Sequence, residues 1–266
     1  MCTTCGCSGH THEPHHHDHE GHVHAPHEHG LEHAPRHGND HEHAPPAANV
    51  IRLEQQILAR NDEQAQRNRR RLAVQQVLAL NLMSAPGAGK TTLLERTVRE
   101  LGGGHTLQVI EGDQATDYDA RRLREAGCPV VQLNTGTGCH LDASMVDRGL
   151  DQLPLAAGSI LVIENIGNLV CPALFDLGEH ARVVVAAVTD GDDKPVKYPH
   201  MFRAATLIVL NKMDLLPYVT FDTDRFQAFA RQINPGATVL PLSAIRGDGV
   251  DAWIGWLREQ ARNGAA

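Results

Sequence analysis

The feature that most limits what this chain can fold into is a repeated alternation. Short, continuous apolar runs at 77–83, 107–110, 129–133, 160–163, 183–188, 207–210 and 238–242 are separated by polar or glycine-rich segments and helix-forming stretches. Runs of this length that do not alternate apolar with polar read as strands buried on both faces of a parallel sheet. Helices are expected at 91–101, 117–126, 142–153, 222–233 and 249–262. Strand–helix–strand repetition of this kind predicts a doubly wound, mostly parallel α/β sheet of about seven strands, with ligands at the carboxyl ends of the strands. Aromatic residues are 4% of the chain, so Val, Leu, Ile and Ala should form most of the core.

The N-terminal segment obeys none of this. Its first 43 residues hold 14 of the chain's 18 histidines and open with Met1-Cys2-Thr3-Thr4-Cys5-Gly6-Cys7. Residues 1–49 carry seven acids and one base and almost no apolar side chains, so they are expected to stay disordered without metal. The consecutive prolines in 44–49 suggest a linker, with Asn49 able to cap a helix over 50–74. Ile51, Ile57 and Leu58 make one apolar stripe on it, and the run Arg67-Asn68-Arg69-Arg70-Arg71 reads as its solvated face. The expected organisation is a metal-binding tail at 1–49, a helical lead-in at 50–76 and the α/β domain at 77–266.

Composition excludes several classes. Net charge is −8, of which residues 50–266 contribute only −2, which argues against nucleic acid as a partner. The longest wholly apolar run is six residues, far short of a membrane span. The N-terminus lacks the basic start and apolar stretch of a secretory signal, so a cytoplasmic location is expected. There the six cysteines suggest metal or redox chemistry rather than disulfides.

Ser84-Ala85-Pro86-Gly87-Ala88-Gly89-Lys90-Thr91-Thr92 follows the first apolar run and opens a helix. It resembles a P-loop. Glycines let the backbone curl until its N–H groups converge on phosphate, aided by the helix dipole. Lys90 would reach the β and γ phosphates, and Thr91 would ligate Mg2+. The usual first glycine of the pattern is Ser84 here. Asn211-Lys212-Met213-Asp214 ends a strand and resembles the guanine-specificity motif of GTPases. A carboxylate at Asp214 can accept from guanine N1–H and the exocyclic amine together, a bidentate contact of the kind that discriminates bases by roughly 1–3 kcal/mol. Ser243-Ala244 would complete the guanine pocket. Glu164-Asn165-Ile166-Gly167 resembles the Asp-x-x-Gly switch, with Gly167 N–H aimed at the γ-phosphate and Glu164 meeting Mg2+ directly or through water. Asp113 is the candidate for holding Mg2+ or orienting the attacking water, while Asp119 reads as a helix-surface carboxylate.

Taken with Glu111-Gly112-Asp113, Asn134-Thr135-Gly136-x-Gly138-Cys139-His140-Leu141-Asp142, Asn168-Leu169-Val170-Cys171-Pro172 and Lys197-Tyr198-Pro199, these segments resemble the HypB family of hydrogenase nickel-incorporation GTPases. The resemblance covers 1–7 and about 72–260. It implies a GTPase that dimerises around nucleotide. It also implies delivery of nickel to the large subunit of nickel–iron hydrogenase, with a HypA-type accessory protein. It further implies a nickel or zinc site at Cys139, His140 and Cys171. The residues themselves make a weaker case for that site: an adjacent soft pair in a glycine-rich loop, and a cysteine four positions beyond Gly167. Three ligands are one short of a closed tetrahedral site, and a second copy or water would supply the fourth. The reading of Cys139 and Cys171 as merely small buried residues stands beside it. Cys128 has no such neighbour and reads as a core or surface thiol.

The tail divides into two devices. Cys2, Cys5 and Cys7 form a compact thiolate cage, and the α-amine of Cys2, once Met1 is removed, would complete a set suited to square-planar Ni2+. His10, His12, His15, His16, His17, His19, His22, His24, His27, His29, His33, His37, His41 and His43 are interspersed with acids, Gly, Ala and Pro. That pattern suits a nickel store better than an expression tag, and its binding should fade below about pH 6. Rival classes are a nickel storage protein with a vestigial GTPase, a related metallochaperone GTPase serving urease or a cobalamin enzyme, and a small-molecule P-loop kinase. Asn211-Lys212-x-Asp214 disfavours the last.

Overall fold

Seven strands form one sheet in the order β3-β2-β4-β1-β5-β6-β7. They are β1 (Leu78–Ser84), β2 (Leu107–Asp113), β3 (Val130–Asn134), β4 (Ile160–Glu164), β5 (Ala181–Ala187), β6 (Leu207–Asn211) and β7 (Thr238–Pro241). Every pairing is parallel, so the expectation of a mostly parallel sheet becomes an entirely parallel one. The computed structural model describes residues 46–102, 105–113 and 116–264. Cys2, Cys5, Cys7 and the histidines from His10 to His43 lie outside them. The described residues divide into two units at Glu54 and Gln55, the larger being Gln55–Ala266.

The strand pattern has a direct cause. β1, β4 and β6 are buried at every position, because their Val, Leu and Ile face helices on both sides of the sheet. On one face, Leu80, Leu82, Leu93, Leu94, Trp253 and Leu257 pack α2 (Lys90–Glu100) and α8 (Val250–Gly264) against the strands. On the other, Ala79, Ile110, Leu161 and Ile163 meet Leu72 of α1 (Pro46–Val74) and Val146 and Leu150 of α4 (Ala143–Leu150). Phe202 of α6 (Pro199–Ala204) and Phe226 of α7 (Thr223–Ile233) close the far end around Ile208. Among the described residues, α3 (Tyr118–Glu125) and α5 (Lys194–Lys197) complete the set of α-helices, α5 and α6 being too short to announce themselves by periodicity. β1 lies between β4 and β5, where the connections diverge, so a crevice opens at its carboxyl end.

Three expectations need correction. α1 begins at Pro46, so Asn49 lies inside the helix rather than capping it; proline is tolerated in the first turn, where its missing N–H has no partner to lose. Ile51 and Ile57 are exposed and form no core stripe. The arginine-rich run is not simply a solvated face. Asn68 is buried, Arg69 makes two 2.8 Å bonds to Asp176, and Arg71 bonds Asp151 at 2.7 Å and the Leu150 carbonyl at 3.0 Å. Within Gln55–Ala266 this side of α1 binds the sheet-covering layer, and its carboxylate partners lie too far along the chain to be read from spacing. Among the described residues no helix is long and apolar enough to cross a membrane.

Candidate nucleotide site and metal centre

The carboxyl end of β1 turns into α2 through two left-handed glycines, Gly87 (φ +74°) and Gly89 (φ +95°). Only glycine takes such angles at little cost. Gly89 also has a steric reason, since a Cβ there would lie 2.6 Å from Asn211 Nδ2. That close approach is a junction. Asn211 Nδ2 donates to the Ala88 carbonyl at 2.9 Å, and its Oδ1 accepts from Lys212 N at 2.7 Å and Ala244 N at 3.1 Å. One side chain therefore fixes the phosphate loop, the segment that begins at Lys212 and the loop after β7 in a common frame. Asp214 is held ready by Ser243, whose hydroxyl donates to it at 2.6 Å. Ser84 ends β1 with ordinary backbone angles, so no glycine is needed there. Its hydroxyl accepts from Lys90 Nζ at 2.9 Å. Thr92 accepts from Arg122 at 3.3 Å and so faces α3.

Beside Lys90 lie two buried carboxylates. Glu111 and Glu164 are register partners on the adjacent strands β2 and β4. Each has one carboxylate oxygen, Oε2, that is buried without a hydrogen-bond partner. Burial, reinforced by Glu164 and then Asp113 and Asp119, pushes the Glu111 carboxyl up to about 8. Burial raises Glu164 as well, against the pull of Lys90 and of Thr91, whose hydroxyl donates to Glu164 at 2.8 Å. The same burial lowers Lys90. Two orphaned buried oxygens next to a hydroxyl on the phosphate loop are the hard-donor set that Mg2+ takes, so the residues fit that ion. Asp113 closes β2 and accepts from the backbone and hydroxyl of Thr116, at 3.1 and 2.6 Å. Asp119 is half-buried rather than free on the helix surface, and its charge reaches Lys90, Glu111 and Glu164.

Glu111 is the residue that reading the sequence missed as a site residue. Ending the strand at Ile110 left it as a motif letter. β2 in fact continues to Asp113 and carries Glu111 into the interior. A carboxylate flanked by Val109-Ile110 and Gly112 was the available signal.

A second cluster lies where the loops after β3 and β4 meet. Ligand atoms of Cys139, His140 and Cys171 all lie within 4.8 Å of one another. Cys139 Sγ is 3.0 Å from Cys171 Sγ and 3.7 Å from His140 Nδ1, and neither cysteine is in a disulfide. His140 stacks on Phe175 with ring centroids 4.0 Å apart, and burial lowers its pKa, favouring the neutral imidazole that binds metals. Two soft sulfurs and one nitrogen suit nickel or zinc. Asp142 caps α4 by accepting from Met145 N at 2.7 Å, which fixes the end of the Cys139–His140 loop. Cys128 is buried against the Leu107 carbonyl, its thiol pushed up to about 12, and takes no part.

One segment touches both clusters. A Cβ on Gly167 would lie 2.9 Å from Pro86 Cα, so the glycine is pressed against the phosphate loop. Asn165 accepts from Leu141 N at 3.1 Å, and Asn168 donates to the Cys139 carbonyl at 3.4 Å. Three residues later the same segment supplies Cys171.

A parallel sheet with this strand order and a phosphate loop at its switch point defines a P-loop GTPase fold. Residues 78–241 match the CobW/HypB/UreG nucleotide-binding domain family. The chain belongs to the HypB family of hydrogenase maturation factors. The hydrogenase maturation factor HypB of Escherichia coli (strain K12) is 45% identical over 98% of this chain and 99% of that one. The crystal structure of HypB from Archaeoglobus fulgidus is 40% identical, with a TM-score of 0.72, over 77% of this chain and all of that one. The crystal structure of HypB from Helicobacter pylori in complex with nickel is 33% identical, with a TM-score of 0.73, over 77% and 97%.

Proposed function

We propose that this chain is a GTP-hydrolysing nickel metallochaperone. It stores nickel on its N-terminal segment and helps insert it into the large subunit of nickel–iron hydrogenase, together with a HypA-type accessory protein and as a cytoplasmic homodimer. The observation that carries the reading is the segment 164–171, which holds Glu164 at the phosphate loop, packs Gly167 on Pro86 and ends in Cys171. A γ-phosphate contact at Gly167 and a metal contact at Cys171 lie four positions apart, so movement at one displaces the other. The solved Helicobacter pylori relative in complex with nickel supports nickel as the cargo.

In this reading Gly87, Ala88, Gly89 and Lys90 cradle the phosphates, while Asp214, fixed by Ser243, accepts from guanine. Thr91, Glu164 and Glu111, with Asp113, would hold Mg2+, which neutralises phosphate charge when bound. Asp113 orients the attacking water, and Lys90 stabilises charge developing on the γ-phosphate. Cys139, His140 and Cys171 hold nickel or zinc, with a fourth donor from water or a second copy. Residues 1–49 act as a separate metal-binding tail, with the nickel cage at Cys2, Cys5 and Cys7 and the store on the histidines. A coupling of about 1–3 kcal/mol between the sites changes metal affinity 5- to 150-fold.

Two experiments test this. Nickel titration with GDP and with a non-hydrolysable GTP analogue should give different affinities, and equal affinities refute the coupling. Hydrogenase activation in cells should fail with Lys90→Ala at any nickel supply. Deletion of 8–43 should fail only when nickel is scarce. Activation that survives Lys90→Ala would favour a storage protein with a vestigial GTPase.

A further inference from the structure

Two asparagines on α1 have no reason of their own to be where they are. Asn61 and Asn68 are buried, and their spacing puts them two turns apart on one helical face. Asparagine is a mediocre helix former, and its buried amide is costly unless it is bonded. The partners explain both. Asn61 Oδ1 accepts from Ala143 N at 2.9 Å, and its Nδ2 donates to the Asp176 carbonyl at 2.8 Å. Asn68 Nδ2 donates to the Ala143 carbonyl at 2.8 Å and to the Leu177 carbonyl at 3.0 Å. Each amide thus joins the same two stretches of backbone. Arg69 adds its pair of bonds to Asp176, and Gly178 fits so closely that a Cβ would lie 2.6 Å from the Ala65 carbonyl.

The stretches so joined carry the thiolate–imidazole cluster. Ala143 begins α4 directly after the loop of Cys139 and His140. Asp176 and Leu177 follow the turn Cys171–Ala173 and Phe175, whose ring stacks on His140. We propose that Asn61 and Asn68 are positioning residues of the Cys139/His140/Cys171 centre, fastening its two ligand loops at a fixed separation. The proposal rests on reading that cluster as a metal site. A metal needs its donors placed to a fraction of an ångström, and the loops come from different strands. A truncated amide leaves buried backbone groups bare on both loops, and they relax apart. Residues that hold ligands in place from outside typically change metal affinity about 10- to 100-fold when removed.

The test uses the full chain carrying Cys2→Ser, Cys5→Ser and Cys7→Ser, so that thiolate-to-nickel charge-transfer absorption reports on Cys139 and Cys171. Nickel chloride is the titrant, and a fluorescent GDP analogue monitors the nucleotide site. Asn61→Ala and Asn68→Ala should each shift the nickel titration to about tenfold higher concentration or beyond, with GDP binding unchanged. Cys171→Ser should abolish the band. Asn variants that titrate like the parent, while Cys171→Ser loses the band, overturn the positioning role and leave the metal site standing. A band that is absent in the parent or survives Cys171→Ser removes the metal site, and the inference with it. Joint loss of nickel and GDP binding in the Asn variants means general destabilisation and also overturns the role. Should an alanine variant fail to fold, Asn61→Ser, which keeps an acceptor for Ala143 N–H, is read in the same way.

Discussion

Replacing Glu111 by Gln should stabilise the nucleotide-free protein at neutral and alkaline pH. The cause is the burial of Glu111 opposite Glu164, with Oε2 of each unbonded. Burial and neighbouring carboxylates raise the Glu111 carboxyl from 4.5 to about 8. A group raised on folding contributes stability that is complete below its unfolded value and is lost as pH rises through the folded one. The window therefore runs from about pH 4.5 to about pH 8, with stability falling as pH rises. At about 1.4 kcal/mol per unit, the full shift sets a ceiling near 5 kcal/mol. Water entry and side-chain relaxation raise the effective dielectric, so about 2 kcal/mol is the expected size. Gln is nearly isosteric, carries no charge and can donate to the bare Glu164 Oε2. Urea denaturation with EDTA, at intervals from about pH 5 to pH 8.5, measures the effect. The variant should match the parent near the acid end, exceed it by about 2 kcal/mol near pH 8, and show a flatter slope throughout. With Mg2+ and nucleotide present the order should reverse, because the parent's carboxylate then has a cation. A variant less stable than the parent at pH 8 without metal, or an unchanged slope, would refute the reasoning.

The other predictions concern packing and hydrogen bonds. Gly167→Ala places a methyl 2.9 Å from Pro86 Cα, and overpacking against backbone of this kind costs about 1–3 kcal/mol, so GTP-analogue affinity by calorimetry should fall at least fivefold. Ser243→Ala removes the 2.6 Å bond that holds Asp214; guanine nucleotide affinity should fall about tenfold, the equivalent of one charge-assisted bond, with the fold unchanged by circular dichroism. Arg182 donates to Glu179 at 2.6 Å and to the Ala173 and Phe175 carbonyls at 3.2 and 3.5 Å. Arg182→Lys gives up that fork, and alkylation of Cys171, followed by mass spectrometry of its peptide, should quicken about fivefold or more.

All seven strands and the six longer helices were legible because each is encoded locally. A continuous run such as 160–163 has only one comfortable place, inside a sheet covered on both faces. The glycines at 87 and 89 likewise announce a turn by what they lack. What stayed hidden depends on partners distant in sequence. Asn68 is indistinguishable from a surface asparagine until Ala143 and Leu177 are beside it, 75 and 109 positions away. Arg69 inside an arginine-rich run looks solvated until Asp176 appears. Glu111 was hidden by a strand end placed three residues early. Cys139 and Cys171 stand between these extremes. Their residue types were suggestive, but only the fold shows that the loops after β3 and β4 bring their sulfurs to 3.0 Å.

The arrangement of these loops constrains any coupling between the two clusters. Coupling free energies are reciprocal, so a nucleotide state that changes metal affinity by some factor has its own affinity changed by the same factor when metal binds. The contacts give that linkage a short physical route. Gly167 bears on Pro86 of the phosphate loop, Asn165 holds Leu141 N, and Asn168 holds the Cys139 carbonyl. The opposite ends of the loops that carry Cys139, His140 and Cys171 are tied at Ala143, Asp176 and Leu177 by Asn61 and Asn68. A loop fixed at its far end and pulled at its near end changes ligand geometry for a small displacement, whereas a loop free at both ends would follow the switch without straining the site. Loosening α1 should therefore weaken both metal affinity and its dependence on nucleotide, while loosening Asn168 should weaken only the dependence.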